Sequence, residues 1–332
     1  MKKILLSHGG GGKAMASLIK ELIAKKFSNK ILNELTDSAI LSSTGDNRLC
    51  FTTDSYVVNP LFFPGGDIGK LAVNGTVNDL SVMGAKPLYL SCSFIIEEGF
   101  DWETLDKVTA SMAEAARKAG IKIVTGDTKV VGRGSADQLF INTAGIGILN
   151  EGINISTSNI QIGDKIIING PIGEHGLAVM SEREGFETDI RSDCAPLWDL
   201  VSEVLPEGGI KFMRDPTRGG LSSVLCEITE RRDYGIKILE EDIPIHDNVS
   251  GFCEILGFDP LVVANEGKVL VVVSPETASS VLKRMKKHPL GREASIIGEI
   301  TKENEGLVVL ETVIGGLRIL DRLVGDQLPR IC

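Results

Sequence analysis

The sequence predicts two domains of mixed α and β structure, of the α+β or α/β kind, on three observations. Apolar residues fall alternately at helical spacing and in short β-branched or aromatic runs along both halves. A polar, turn-rich stretch, Asn150–Asn159 with Ser156-Thr157-Ser158-Asn159 inside it, lies between the halves. The length of 332 residues suits two cores at about 150 residues each. The domains are placed at residues 1–155 and 156–320, with a short tail over 321–332.

In the first half, Lys3–Leu6 reads as a short strand, followed by the glycine run His8-Gly9-Gly10-Gly11-Gly12-Lys13. A helix follows, with Met15, Leu18, Ile19, Leu22, Ile23 and Phe27 at helical spacing. Arg48–Thr53 reads as a strand ending in Thr53-Asp54-Ser55, and a Pro/Gly loop, Asn59 to Gly66, leads into a helix over Ile68–Met83. Strands are expected over Leu88–Ile96, Ile121–Val124 and Leu139–Ile148, with a helix over Asp101–Ala119 whose N-cap is Asp101. In the second half, strands are expected at Lys165–Asn169, Lys268–Val273 and Leu307–Leu310, and helices at His175–Arg183, Leu221–Arg231 and Glu276–Lys287. The connection containing Asp215-Pro216-Thr217-Arg218-Gly219-Gly220 reads as polar loop. The tail from Gly325 to Cys332 is expected to be mobile, because chain ends are ordered only when tied down.

Hydrophobic residues make up 42% and charged residues 24%, an ordinary globular balance that argues against disorder, collagen and coiled coil. With 45 acidic and 35 basic residues the formal charge is −10, which disfavours nucleic acid and anionic membrane as partners. The six cysteines, Cys50, Cys92, Cys194, Cys226, Cys253 and Cys332, form no CxxC pair, so no zinc or iron–sulfur cluster is expected. The N-terminus lacks the apolar core of a signal peptide, and no run approaches the ~20 apolar residues of a membrane span. A cytoplasmic location with reduced thiols is expected. Five cysteines read as small buried hydrophobes, whereas Cys332 is the last residue of the sequence.

The glycine run is not a Walker P-loop, because Ser7 and Ala14 stand where that motif needs glycine and Ser or Thr. Four glycines before a helix either wrap an anion with backbone N–H groups or act as a hinge. More informative are aspartates where strands end or helices turn inward: Asp37, Asp54, Asp79 and Asp127. Asn74 and Asn78 share a helix face beside Asp79, giving an otherwise apolar helix an oxygen-rich stripe that is costly to bury unless something charged meets it. Several separated aspartates suit Mg²⁺, which bridges carboxylates to substrate phosphates; each alone could instead be a cap or turn residue. Lys129, just past the strand Ile121–Val124, is placed to neutralise a phosphate. Glu266, between the apolar stretches Leu261–Ala264 and Val269–Val273, is a candidate base. For both, a solvated turn is the alternative. His246 and His288 read as surface residues.

The run Phe63-Pro64-Gly65-Gly66-Asp67-Ile68-Gly69-Lys70-Leu71-Ala72-Val73-Asn74-Gly75-Thr76-Val77-Asn78-Asp79-Leu80, with Met83-Gly84-Ala85-Lys86-Pro87-Leu88 after it, resembles the PurM-like ATP-binding superfamily. Within it the chain most resembles the HypE family of hydrogenase maturation proteins. The likeness runs from the glycine segment through Gly126-Asp127-Thr128-Lys129-Val130-Val131, Asp215-Pro216-Thr217-Arg218-Gly219-Gly220 and Asn265-Glu266-Gly267-Lys268 to Pro329-Arg330-Ile331-Cys332. Selenophosphate synthetase usually carries a reactive Cys or selenocysteine in the glycine-rich segment, whereas this chain has none before Cys50. Thiamine-monophosphate kinase usually shows paired aspartates where this chain has Thr36-Asp37-Ser38-Ala39.

The resemblance implies an N-terminal ferredoxin-like α+β domain, a C-terminal α/β sandwich domain and a homodimer built mainly by the N-terminal domains. It also implies the reaction: a HypF-type carbamoyltransferase loads Cys332, ATP-dependent dehydration turns the thiocarbamate into a thiocyanate, and the cyano group passes to iron held by a HypC–HypD-type complex. On this reading Cys332, Lys129 and Glu266 are catalytic. Gly9, Gly10, Gly11, Gly12, Asn78, Asp79, Gly126 and Asp127 lie near the nucleotide, and Asp37, Asp54, Asp79 and Asp127 hold Mg²⁺–ATP. The competing expectations are a nucleotide-binding scaffold whose cysteine carries cargo without catalysis, and an ATP-dependent purine-pathway ligase.

Overall fold

The computed structural model describes residues 4–8, 12–41, 48–322 and 330–332. The chain begins with α1 (Lys13–Leu18), a π turn (Ile19–Ile23) and α2 (Ala24–Phe27). Then come β1 (Ala39–Leu41), β2 (Arg48–Tyr56), the short pair β3 (Phe62–Phe63) and β4 (Gly66–Asp67), α3 (Ile68–Val82), β5 (Lys86–Glu97), α4 (Trp102–Lys118), β6 (Lys122–Val131) and β7 (Leu139–Leu149). The second half contains β8 (Lys165–Ile168), α5 (Glu174–Glu184), α6 (Trp198–Val204), β9 (Ile210–Arg214), α7 (Gly220–Thr229) and β10 (Gly235–Leu239). It closes with α8 (Asp247–Leu256), β11 (Leu270–Val273), α9 (Pro275–Met285), β12 (Ser295–Thr301), β13 (Val308–Glu311) and β14 (Leu317–Leu320).

The first sheet runs β1-β2-β7-β5-β6, antiparallel except between β5 and β6, which α4 connects by a crossover. Helix α3 packs on one face of it and touches α4. Asp67 caps α3, accepting from Gly69 N at 2.8 Å and Lys70 N at 3.1 Å, and Asp101 caps α4 as its sequence suggests. Helix α3 is buried on almost every side because the second domain covers what the sheet does not. The other sheet face carries Phe51, Tyr89 and Ile146 in one cross-strand row, each about 40% exposed or more.

The second sheet runs β14-β13-β10-β12-β8-β11-β9. All four residues of β11 are buried, which explains why its sequence is a continuous apolar run. One core cluster fills the space under α7 and another the space under α6 and α9.

Several expectations change. Leu6–His8 is a 3₁₀ turn rather than part of a strand. Strand β6 continues to Val131, so Lys129 lies within it and not just past it. Elements α6 and β9 occupy what reads as polar connection, and β10, α8 and β12 carry apolar signals too short to stand out. Cys50, Cys92, Cys194 and Cys253 are buried and Cys226 is half-buried, all as free thiols. The last three residues are docked rather than mobile, with Ile331 only 3% exposed. Gly9, Gly10, Gly11 and the linker 323–329 lie outside the described residues.

Candidate active site

The terminal tripeptide lies antiparallel against residues 57–59. Val57 N donates to Cys332 O at 3.2 Å and Asn59 N to Arg330 O at 3.2 Å. Ile331 joins the core of the first domain, beside Val179, Cys194 and Ala264. This placement puts Cys332 in a cavity of about 300 Å³ between the two domains. Asp54, Asp79, Asp215, Arg218 and Glu266 share that cavity with it.

Glu266 is 2% exposed and is fixed through its backbone. Its N–H donates to Asp193 Oδ1 at 3.0 Å and its carbonyl accepts from Asn78 Nδ2 at 3.0 Å. Gly267 N donates to Asp193 Oδ2 at 3.1 Å, and Lys268 Nζ lies 3.1 Å from the same carboxylate. Burial works to raise the Asp193 carboxyl, but the Lys268 ammonium and the Glu266 N–H outweigh it and hold the group below its ordinary value. Asp193 is thus a charged bracket that sets where Glu266 stands.

The carboxyls facing the cavity behave differently. Burial, then the charges of Asp215, Asp193 and Asp54, pushes Glu266 well above the usual carboxylate range, against the pull of Arg218. Asp79 is raised for the same reasons, burial first and then Asp215, Asp37 and Asp54, although Thr52 Oγ1 donates to it at 2.8 Å. Asp215 is pushed up to about 7 by burial and by Asp37. Two arginines answer part of this charge. Arg214 Nε lies 2.9 Å from Asp37 Oδ2, and Arg218 Nη2 is 3.6 Å from Asp54 Oδ1. Arg218 is held charged chiefly by Cys332, ahead of the opposing effect of burial. Crowded carboxyls at this cost fit a divalent cation better than water. Among the described residues no three His, Cys, Asp or Glu side chains form a ready-made metal site, so such a cation would need phosphate or water oxygens as well.

The structure therefore brings Asp37, Asp54, Asp79, Glu266 and Cys332 to one cavity. Gly12 is the buried N-cap residue of α1, whose Met15 and Ala16 line the same cavity. Asn78 is not turned to a ligand. It braces the site from behind, donating to Ala195 O at 3.1 Å and Glu266 O and accepting from Leu197 N at 2.8 Å. Gly126, Asp127 and Lys129 lie on edge strand β6, away from the cavity, with Lys129 Nζ 2.6 Å from Asp127 Oδ2 in solvent. Pairing places Asp127 opposite Ser93, and Ser93 and Ser55 both opposite Asn142, three strands from β2. Gly126 has a packing reason of its own, since an added Cβ would stand 2.0 Å from Cys92 O. Sequence reasoning missed Asp193, Asp215, Arg218 and His175. Asp215 and Arg218 were legible in the run ending Gly219-Gly220, where Gly220 has φ +59° and a Cβ would meet Val263 O at 2.6 Å.

Residues 35–149 match the N-terminal domain of AIR synthase related proteins and residues 161–311 their C-terminal domain. The fold and the inter-domain site thus define a two-domain, PurM-like member of the AIR synthase related class. Carbamoyl dehydratase HypE of Bradyrhizobium diazoefficiens is 52% identical over 98% of this chain and 95% of its own. HypE of Escherichia coli is 47% identical over the whole of both chains. Among solved structures, HypE in a HypE–HypF complex superposes with a TM-score of 0.87 at 52% identity, covering 92% of this chain and 100% of that one. HypE in complex with ATP gives 0.83 at 47%, covering 99% and 100%. A thiamine monophosphate kinase from Aquifex aeolicus, 16% identical with a TM-score of 0.63 over 92% and 97%, shares the fold alone. The chain belongs to the HypE carbamoyl dehydratase family.

Proposed function

We propose that this chain dehydrates a thiocarbamate on its own Cys332 to a thiocyanate, with conversion of ATP to ADP and phosphate, and so supplies the cyano ligand for the iron of nickel–iron hydrogenase. The observation that carries the reading is the presence of Cys332 in one cavity with Glu266, Arg218 and the aspartates. The thiocarbamate oxygen takes the γ-phosphoryl group of ATP and leaves as phosphate, and the nitrogen gives up both protons as the C≡N bond forms. Glu266, a carboxyl buried in the same cavity as Cys332 and pushed above its usual range by burial and neighbouring carboxylates, is the group suited to take a proton from that nitrogen. Arg218 offsets charge on the transferred phosphoryl group. Mg²⁺ held by Asp54, Asp79 and Asp215 would neutralise the nucleotide phosphates, with Asp37 reaching the site through Arg214. The start of α1, with Gly12, supports a place for the nucleotide beside the same carboxylates.

A HypF-type carbamoyltransferase is the expected donor and a HypC–HypD-type iron complex the expected acceptor, in the cytoplasm. Among the described residues no helix is long and apolar enough to cross a membrane. A homodimer is supported by the uncovered sheet face bearing Phe51, Tyr89 and Ile146, since a two-layer domain with an apolar outer face is incomplete alone. A catalytic role for Lys129, and a nucleotide role for Asp127, requires a second copy to carry β6 to the cavity. The scaffold reading is disfavoured by the bracket of Asp193 and Asn78, which fixes a raised carboxyl in the thiol's own cavity. The decisive test incubates the protein with a HypF-type donor system and MgATP and weighs the C-terminal peptide. A carbamoyl adduct that loses one water only with ATP, and never forms in Cys332→Ala, is expected; no adduct on Cys332 overturns the reading.

A further inference from the structure

The docked tail and Glu266 are held by the same turn of helix. At the start of α5, Gly173 N donates to Asn265 Oδ1 at 2.7 Å and Gly176 N to Ala264 O at 3.1 Å, while Glu174 Oε2 lies 3.4 Å from Lys268 Nζ. These contacts grip the segment that carries Glu266 on both sides of it. His175, on the same turn, reaches the tail. It is fully buried, with Nε2 3.0 Å from Ile331 O and Nδ1 2.8 Å from Ser192 Oγ, and the Phe63 ring meets it edge-on at 5.4 Å between centroids. A carbonyl only accepts, so Nε2 carries the proton. Burial holds the ring below its ordinary pKa and therefore neutral, which leaves Nδ1 to take the Ser192 hydroxyl proton. The Ser192 oxygen in turn accepts from Cys194 N at 3.1 Å. Next to Ser192 stands Asp193, whose carboxylate receives the N–H groups of Glu266 and Gly267. An unbroken path therefore runs from the carbonyl of Ile331 through His175, Ser192 and Asp193 to Glu266, each link a hydrogen bond or an adjoining peptide unit.

We propose that His175 is a positioning residue for dehydration, registering the docked tail against Glu266 so that the group on Cys332 and the carboxyl meet at a fixed separation. The imidazole acts through main chain and Ser192 rather than on the reacting atoms. Misplacement of reacting groups by about 1 Å can cost about 10²-fold in rate, so a residue behind the site can govern the chemical step. This inference rests on Cys332 being the carrier and Glu266 the base.

The test incubates the full chain with a HypF-type donor system and MgATP and follows both carbamoyl adduct and thiocyanate on the C-terminal peptide by mass, so that loading and dehydration are read separately. ATP affinity is measured by equilibrium binding without the donor. His175→Leu is expected to load Cys332 as wild type does, to bind ATP with unchanged affinity, and to dehydrate about tenfold more slowly, the loss of one buried hydrogen bond. His175→Gln, which keeps a donor toward Ile331 O, should dehydrate near the wild-type rate. Ser192→Ala cuts the path on the other side of the ring and should slow the same step. Wild-type dehydration in His175→Leu, an equal loss in His175→Gln, or a fall in ATP affinity that accounts for the slowing overturns the proposal. If His175→Leu fails to fold, wild-type dehydration in Ser192→Ala overturns it instead. No carbamoyl adduct on wild-type Cys332 overturns the carrier reading and this inference with it, an outcome distinct from a loaded chain that dehydrates normally in His175→Leu.

Discussion

At the scale of single residues, the site depends on one carboxyl kept uncomfortable and another kept charged. Glu266→Gln preserves shape and backbone contacts while removing the base. It should lower dehydration by about 10²-fold or more while carbamoylation of Cys332 continues, read as accumulation of the adduct that has not lost water. If dehydration persists at the wild-type rate, Glu266 is not the base. Asp215 makes a second prediction. Its pKa is 3.8 unperturbed and about 7 in the folded chain, so the folded state holds this proton more tightly. Its contribution to stability is present below 3.8 and is lost as pH rises toward about 7. His175, lowered by burial, acts in the opposite direction, so the comparison is with Asp215→Asn. In the absence of divalent cation, wild type should lose stability between pH 4 and pH 7 relative to Asp215→Asn, by about 1.4 kcal/mol per pH unit at most. Added MgCl₂ should raise the wild-type Tm more at pH 8 than at pH 5; an equal rise would count against the aspartates as cation ligands. Glu266 was legible as a lone carboxylate between apolar runs, and Asp37, Asp54 and Asp79 as aspartates at strand ends or on a helix, but the same signal also picked out Asp127, which lies on β6 away from the cavity. Asp193 gave no such signal, since its role depends on a backbone 73 residues away.

At the scale of elements, helix α3 and strand β6 show where local pattern stops informing. The cap Asp101 and the span of α3 follow from sequence alone, whereas the Asp67 cap of α3 emerges only in the structure. The oxygen-rich stripe of α3 was also legible, but not its use: Asn78 holds loops of the other domain, whereas Asp79 faces the cavity. Strand β6 is longer than its apolar core, because Gly126 lets β5 approach across a register shift at Leu90/Ser91. The prediction here is structural: Gly126→Ala should destabilise the chain by about 1–3 kcal/mol in denaturant melts. A variant as stable as wild type would show that β6 yields at no cost. Short elements such as α6 and β10 escaped notice because a seven-residue helix or five-residue strand carries only about two periods of signal.

At the scale of the whole molecule, the two mixed sheets were legible in the alternation of runs, while the relation between the domains was not, because it is written in contacts such as those of Asn78. If a second copy delivers Lys129, then Glu266→Gln and Lys129→Ala, each inactive alone, should recover dehydration when mixed under conditions that exchange subunits. Recovery is the expected outcome in the single-turnover mass assay, and none despite demonstrated exchange would place Lys129 outside the reaction.

The three hydrogen bonds of Asn78 have a further consequence. A buried amide on a helix of the first domain is fastened to Ala195, Leu197 and Glu266 of the second, at 3.1, 2.8 and 3.0 Å. Lobes stitched together at Glu266 cannot gape without breaking those bonds in a dry interior. Freeing the terminal tripeptide, by contrast, breaks its contacts with Val57, Asn59, Arg183 and His175 and the Asp137 pairing of Arg330.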